Sequence, residues 1–168
     1  MKLTRGAYRT FLDSTFGGTG GPEWWRIGKD MEEMSVEMNN DVSSTKNIWD
    51  EVSAQDNGSE PSIEADPYYA NPDDSIYPKL RDIAMKRLKG DACKTKILEV
   101  IVEDTEATNH KAWMEDVIVK VSSYGGDTAG FGMPFNITFD GNRKEGYVTI
   151  TDGEPVFKEG EIPASLSE

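Results

Sequence analysis

The sequence is poor in the residues that build most metal and nucleophilic centres. It contains one cysteine and one histidine in 168 residues. A single cysteine excludes an internal disulfide framework and a cysteine-based zinc site, and a lone histidine has no second imidazole to share a metal with. His110 lies in the polar stretch EATNHKAW, so we predict a surface histidine in a turn between strands. Cys93 we predict to be a small, unreactive residue that follows a helix.

Basic charge and long apolar runs are also scarce. The chain has 18 Lys and Arg against 31 Asp and Glu, a net charge of -13. This balance opposes tight binding of duplex nucleic acid or anionic lipid, which both require clustered cations. The N-terminal MKLTRGAYRTFLDSTF has no long apolar run, so we expect no signal peptide, no transmembrane span and a soluble chain made inside the cell. The length suits one domain with a core of its own.

Glycine, by contrast, is concentrated in YGGDTAGFG, residues 124–132. Glycine-rich loops can bind phosphate, but Phe131 and Gly132 stand where a P-loop has Lys and Ser or Thr, and no helix follows. The glycines instead predict positive φ angles in a loop between two strands. Carboxylates are plentiful in any acidic chain and most are solvated, so a glycosidase-like pair is the weaker explanation. We expect no enzyme activity, no metal and no cofactor.

The chain divides into three parts. Residues 1–22 end in FGGTGGP and predict a flexible N-terminal arm. Residues 23–160 predict one β domain with a helix at about 75–89, and residues 161–168 a C-terminal tail. The helix follows from a stripe of apolar residues at helical spacing, which indicates packing on a sheet: Ile76, Leu80, Ile83, Ala84 and Leu88.

The rest of the domain has strand-like alternation. We predict strands over 24–38, 44–52, 95–104, 113–123, 133–140 and 145–151, with a loop over 53–61 and a turn at DGNRKE, residues 140–145. The fold class is therefore mostly β, a β-sandwich or partial barrel with one flanking α-helix. The alternation leaves polar residues opposite the apolar face of the last four strands, and we predict that they form one wet, net-acidic surface: Glu99, Glu103, Asp116, Lys120, Asn136, Thr138 and Asp140.

Three segments, in order along the chain, resemble the tail tube (major tail) proteins of long-tailed, non-contractile bacteriophages. MSVEMNNDVSSTKNIWDE is similar to that family's early strand, turn and second strand, EADPYYANPDDSIYPKLRDIA to its extended segment and single helix, and YGGDTAGFGMPFNITFDGNRKEGYV to its late glycine-rich loop and hairpin. Together the resemblance covers roughly residues 27–148. None of the three segments is a catalytic signature.

The resemblance implies a structural virion protein. Hexameric rings of this chain would stack into a tube, each subunit giving four strands to an inner barrel through which genomic DNA passes without specific binding. About 24 strands spaced 4.8 Å apart and tilted by about 40° give a backbone diameter near 50 Å, wide enough for a duplex. The polar face above would line an acidic bore. The implied partners are further copies of the chain and the tail terminator, tape measure and distal tail proteins, with assembly in the host bacterial cytoplasm.

Contacts between subunits or rings are assigned by hypothesis to the arm and to the glycine-rich loop, at Tyr124, Gly125, Gly126, Asp127, Gly130 and Phe131. Two alternatives remain open at this point. The chain could be a monomeric β-sandwich module that binds carbohydrate or protein through exposed aromatic residues. It could also be the tube protein of a phage-derived bacteriocin or secretion device.

Overall fold

The computed structural model describes residues 1–29 and 31–163. Within them the chain forms ten strands and one α-helix. The elements are β1 (Tyr8–Asp13), β2 (Trp24–Arg26), β3 (Val36–Glu37), β4 (Asn40–Lys46), β5 (Val52–Ser59), β6 (Ser62–Ala65), α1 (Tyr77–Met85), β7 (Lys94–Ile101), β8 (Asn109–Val121), β9 (Phe135–Thr151) and β10 (Glu154–Glu159). The mostly-β class with a partial barrel and one helix is confirmed, because eight strands form one curled sheet.

The sheet is antiparallel at every pairing. Its strands follow the order β2-β1-β7-β8-β9-β6-β3, and β10 pairs with the C-terminal half of β9. Since successive side chains of a strand point to opposite faces, the register assigns each residue to one of two faces. The first face is the one covered by α1. The second face is its reverse.

The main core lies on the first face. Leu80 of α1 packs with Ile97 of β7, Val119 of β8 and Ile137 of β9, all with no exposed surface. A T-shaped contact between Trp25 and Tyr68, with ring centroids 5.7 Å apart, closes one side of this core. Leu80, Ile83 and Ala84 of the stripe predicted from sequence are the buried residues of α1, and the other two members, Ile76 and Leu88, lie just outside its ends.

A second apolar cluster lies on the reverse of the sheet. It comprises Phe11, Leu98, Val100, Val102, Ala112 and Val148, with Phe157 of β10 packed against it. Neighbouring residues Ile97 and Leu98 are therefore both fully buried, on opposite faces. β7 is covered on both faces along this half, which simple alternation does not reveal.

The predicted flexible N-terminal arm, residues 1–22, is wrong for its middle part. Residues Tyr8–Asp13 form β1, which pairs with β7 on one side and with β2 on the other. Phe11 and Leu12 are buried in the two clusters. A strand that is hydrogen-bonded to a neighbour on each side cannot be a flexible arm. Residues 164–168 of the predicted C-terminal tail lie outside the described residues.

Three further boundaries differ from the sequence prediction. Helix α1 ends at Met85 rather than at 89, because Arg87 has a φ of 53° and the Leu88 amide donates to the Ile83 carbonyl. This is a Schellman-type end built without glycine.

The predicted turn at 140–145 is instead part of β9, a single 17-residue strand with a bulge at Gly141. Residues 44–61, predicted as a strand and a loop, belong largely to a hairpin described below.

Candidate functional site

A two-stranded hairpin projects from the sheet. β4 and β5 pair with each other and with no strand of the sheet among the described residues, and every residue of both strands is exposed. One side of the hairpin has the apolar residues Val42, Val52 and Ala54 among Ser44, Lys46 and Asp56, while the other side has only polar side chains. An isolated two-stranded hairpin is at best marginally stable in water. Its apolar side therefore needs a covering surface.

The tip of the hairpin holds two large apolar side chains in a defined turn. Ile48 is 96% exposed and Trp49 is 77% exposed. The Asn47 side-chain oxygen accepts hydrogen bonds from the amides of Trp49, at 2.9 Å, and Glu51, at 3.0 Å. Asp50 takes a φ of 65°, a conformation that Asp tolerates better than most residues. The turn therefore holds the indole of Trp49 in solvent. Exposed apolar surface of this kind is typical of an interaction site and not of the surface of a monomer.

The glycine-rich loop is a folded segment of the free chain. The Ala70 amide donates to the Phe131 carbonyl at 2.8 Å, which fastens the loop to the segment before α1. Gly126 has a φ of 89°, and a Cβ there would lie 2.3 Å from the carbonyl oxygen of Gly130. Only glycine fits such a close approach of two backbones. The glycines serve the backbone, and no anion-binding geometry results.

The predicted contact residues of this loop lie at its surface. Tyr124, Gly125, Gly126, Asp127 and Phe131 are exposed, and Gly130 is half-buried. The Tyr124 hydroxyl accepts a hydrogen bond from Arg87 at 3.0 Å, and the guanidinium lies 5.6 Å from the ring centroid. The loop is therefore held against the end of α1 and leaves the rings of Tyr124 and Phe131 partly open to solvent.

Five of the seven residues predicted to line a bore share the second face of the sheet, in the half that the second apolar cluster leaves free. They are Asp116, Lys120, Asn136, Thr138 and Asp140. The register also places lysines there that the prediction omitted. Lys94 lies 3.9 Å from Asp140 and Lys96 lies 3.5 Å from Asp116, both as ion pairs.

This polar face is balanced in charge and not acidic. Among the described residues in this half, the register places Lys94, Lys96 and Lys120 with Glu37, Glu64, Asp116 and Asp140, and a fourth lysine, Lys144, lies at its border with the second apolar cluster. The expected excess of negative charge is absent because Glu99 and Glu103 lie off this face, and because β7 and β9 add three lysines to it. The acidic excess of the chain must lie elsewhere.

Glu99 and Glu103 do not belong to this face. Glu99 lies on the first face and is only 8% exposed, and Glu103 follows the end of β7. The Glu99 carboxylate accepts hydrogen bonds from Arg143 at 2.7 Å and from the Tyr8 hydroxyl at 2.6 Å. Arg143 also pairs with Glu115 at 3.0 Å. The sequence analysis missed this cluster, because its members come from strands β1, β7, β8 and β9.

Burial, followed by the negative charge of Glu99, raises the pKa of the Tyr8 hydroxyl well above its ordinary value. The proton stays on Tyr8, whose hydroxyl donates it in a hydrogen bond to Glu99. Each oxygen of the buried carboxylate therefore has a donor, Tyr8 for one and Arg143 for the other. This arrangement fixes β1 to β7 and β9. It is a stabilising network, and we assign it no chemistry.

No group of three or more His, Cys, Asp or Glu side chains within residues 1–29 and 31–163 is placed to hold a metal ion. In the same part of the chain, the single helix α1 is too short and too polar to cross a membrane.

Comparison with known proteins gives little further guidance. No protein-family model matches the sequence, and no curated protein matches it. Among solved structures, the chain is similar to the sheath/tube terminator of an extracellular contractile injection system, PVC, in its extended state. The two share 8% identity with a TM-score of 0.48, over 86% of this chain and 96% of the other. A likeness at this level does not establish a function.

The exposed hairpin is the structural feature that sequence reasoning missed. Its signal was weak, because the apolar residues of β4 and β5 are few and separated by serine, threonine and asparagine. One indication was available in the stretch NIWDE, where Asn and Asp flank an isoleucine and a tryptophan. Turn-forming residues next to a large aromatic residue are typical of an exposed hairpin tip.

Proposed function

We propose that this chain is a structural subunit of a tail-like tube, with no catalytic role, and that the β4–β5 hairpin is its assembly element. The single observation that supports this best is the hairpin itself. It has an apolar side, a fixed apolar tip and no covering surface among the described residues of its own chain. An isolated segment of this kind is at best marginally stable, so cover by another chain would stabilise it.

The energetic scale of this contact is adequate for assembly. Burying apolar surface contributes about 25 cal/mol per Å², and an aromatic side chain buries 150–250 Å². Covering the exposed part of Trp49 alone is then worth roughly 3–5 kcal/mol before the cost of association. Ile48, Val42 and Val52 add to this. Each copy in an assembly makes the contact with its neighbour, so the contributions accumulate along a tube.

The resemblance to phage tail tube proteins supplies the form of the assembly. On this proposal, hexameric rings stack into a tube in a virion, and the balanced polar face lines the bore. A lumen rich in cations would bind DNA phosphates and retain them. A face on which four lysines are offset by four carboxylates provides no such field, so DNA moves through without being held. The tail terminator, tape measure and distal tail proteins are the proposed partners at the tube's ends and interior.

The test is self-assembly of the purified chain. We expect rings or hollow tubes by negative-stain electron microscopy and a concentration-dependent high-mass species by analytical ultracentrifugation. A variant in which residues 40–59 are replaced by a short Gly-Ser turn should remain folded and stay monomeric. Met85→Ala, which removes another exposed apolar side chain outside the hairpin, is the matched control and should assemble normally. A wild-type chain that stays monomeric at high concentration rules out the tube role.

A further inference from the structure

A basic groove lies at the edge of the sheet where β1 and β2 begin to separate. Its volume is about 590 Å³, within the range of sites that bury a compact ligand or a few side chains. Its apolar wall consists of Trp25, Ile27, Met31 and Met34. Its rim has four cations, namely Arg5, Arg9, Arg26 and Lys29, against one carboxylate of the described lining, Glu32.

These cations have no carboxylate partner within residues 1–29 and 31–163. Arg5 donates to the carbonyls of Tyr8 and Met34, at 2.8 and 3.1 Å, and Arg9 donates to the Gly6 carbonyl at 3.3 Å. None of the four forms an ion pair with a described residue, although the chain has a net charge of -13. Acidic side chains are in excess, yet they leave this groove open.

The cations are close enough to affect one another. Burial, and then the positive charges of Arg9 and Arg5, lower the pKa of Arg26. Like charges at a partly buried rim raise the free energy of the free chain, and an incoming anion removes that cost. The groove therefore has the chemistry of a site for an acidic segment that also brings apolar side chains.

The hairpin of the same chain has the complementary chemistry. Between Asn40 and Ser59 it has four carboxylates, Asp41, Asp50, Glu51 and Asp56, against the single cation Lys46, which pairs with Asp50 at 3.3 Å. Its tip adds the exposed Ile48 and Trp49. A net charge of minus three on the hairpin thus matches plus three on the described residues of the groove lining, and the apolar tip matches the apolar wall.

The hairpin tip does not occupy the groove of its own chain. Ile48 and Trp49 are exposed, and neither is among the residues that line the groove. The hairpin begins at Asn40, six residues after Met34 of the groove wall, and its seven-residue strand β4 extends roughly 23 Å at about 3.3 Å per residue. The groove is therefore open to a segment of another molecule.

We propose that the groove formed by Arg5, Arg9, Arg26 and Lys29 receives the β4–β5 hairpin tip of a second copy of this chain. Trp49 packs on Trp25 and Met31, and the carboxylates of Asp50 and Glu51 pair with Arg26 and Lys29. This inference rests on the proposed function and deepens it, because it assigns the surface that the assembly element binds.

A charge-swap experiment tests the pairing. Arg26→Glu combined with Lys29→Glu should raise the critical concentration for assembly at least tenfold, as should Asp50→Lys combined with Glu51→Lys. Mixing the two variants, or combining all four changes in one chain, should lower the critical concentration for assembly at least tenfold relative to either variant alone. Lys79→Glu, a charge reversal at an exposed helix position outside the groove, is the control and should leave assembly unchanged. Normal assembly of the Arg26/Lys29 variant, or no recovery in the swap, overturns the proposal.

A cross-link adds a readout that does not depend on charge. Cys93 is fully buried, so single cysteines introduced at Glu51 and at Lys29 are the reactive thiols. On mild oxidation a mixture of the two variants should form a covalent heterodimer, and neither variant alone should form it in comparable yield. If tubes form but this heterodimer does not, the groove assignment fails while the tube role stands. If the wild-type chain forms no oligomer, both fail.

Discussion

Replacing Trp49 with alanine separates folding from assembly. Trp49 is 77% exposed, and the hydrogen bond that it makes in the turn uses its backbone amide and not its indole. Truncating it removes almost no packing from the monomer, so the free energy of unfolding should change by less than about 0.5 kcal/mol, as for other surface substitutions. The consequence is expected in the assembled state, where the same side chain is buried.

The size of the assembly defect follows from the exposed area. About three quarters of an aromatic side chain of 150–250 Å², at about 25 cal/mol per Å², corresponds to roughly 3–5 kcal/mol at each contact. Each 1.4 kcal/mol is a factor of ten in an association constant. We therefore expect the critical concentration for assembly of Trp49→Ala to rise by at least a hundredfold, and short oligomers to disappear first.

The assay measures both quantities on the same preparations. Urea denaturation followed by tryptophan fluorescence and circular dichroism gives the stability of the monomer, and sedimentation over a range of concentrations gives the assembled fraction. Ser43→Ala, a truncation on the polar side of the hairpin, should assemble like the wild type. An unchanged critical concentration for Trp49→Ala would falsify the assignment of the tip as a buried contact. A large loss of monomer stability would show that the tip packs on its own chain.

Two further predictions concern the sheet. A Cβ at Gly146 would lie 2.2 Å from a backbone carbonyl oxygen of β10 and 2.7 Å from the Phe157 ring, so Gly146→Ala should displace β10 and cost about 1–3 kcal/mol in urea denaturation. Burial, with the charge of Glu99 at Tyr8 and of a carboxylate at Tyr68, raises the pKa of both hydroxyls above the ordinary value of 10.0. The folded chain then holds protons that the unfolded chain releases, so the stability they contribute is complete below pH 10 and declines above it. Tyr8→Phe should be less stable at neutral pH and show a shallower decline above pH 10. An identical alkaline slope would refute this coupling.

Much of the sheet could be predicted from the sequence, because alternation is strong wherever one face is buried and the other is wet. β8 and the first half of β9 are such strands: Val117, Val119, Phe135 and Ile137 are buried, and Asn136 between the last two is exposed. The stripe of α1 was predictable for the same reason.

The sequence prediction failed where a strand is covered on both faces, and where exposed apolar residues have no packing partner among the described residues of the chain. Glu99 sits between buried Leu98 and Val100 on a strand covered on both faces, so alternation assigned it to solvent although it is paired with Arg143. The strand β1 was assigned to a flexible arm, because the glycines after it dominated the local composition. The hairpin was missed for a different reason. Its apolar residues pack on no described surface of their own chain, so the alternation that marks a half-buried strand is weak there and only the turn residues of NIWDE point to it.

The relation of hairpin to groove also bears on the form of the assembly. The two surfaces are different parts of the chain, so a contact between them is heterologous: one copy gives its hairpin and receives another. Unless two copies exchange hairpins about a two-fold axis, such contacts do not end at a dimer, because every added copy presents a free hairpin and a free groove. If the rotation between copies closes, the product is a ring, and if it does not, the product is a helical filament. An isologous dimer by any other surface would leave the Trp49 tips uncovered, and the exposed tip is the feature that any assembly of this chain has to explain.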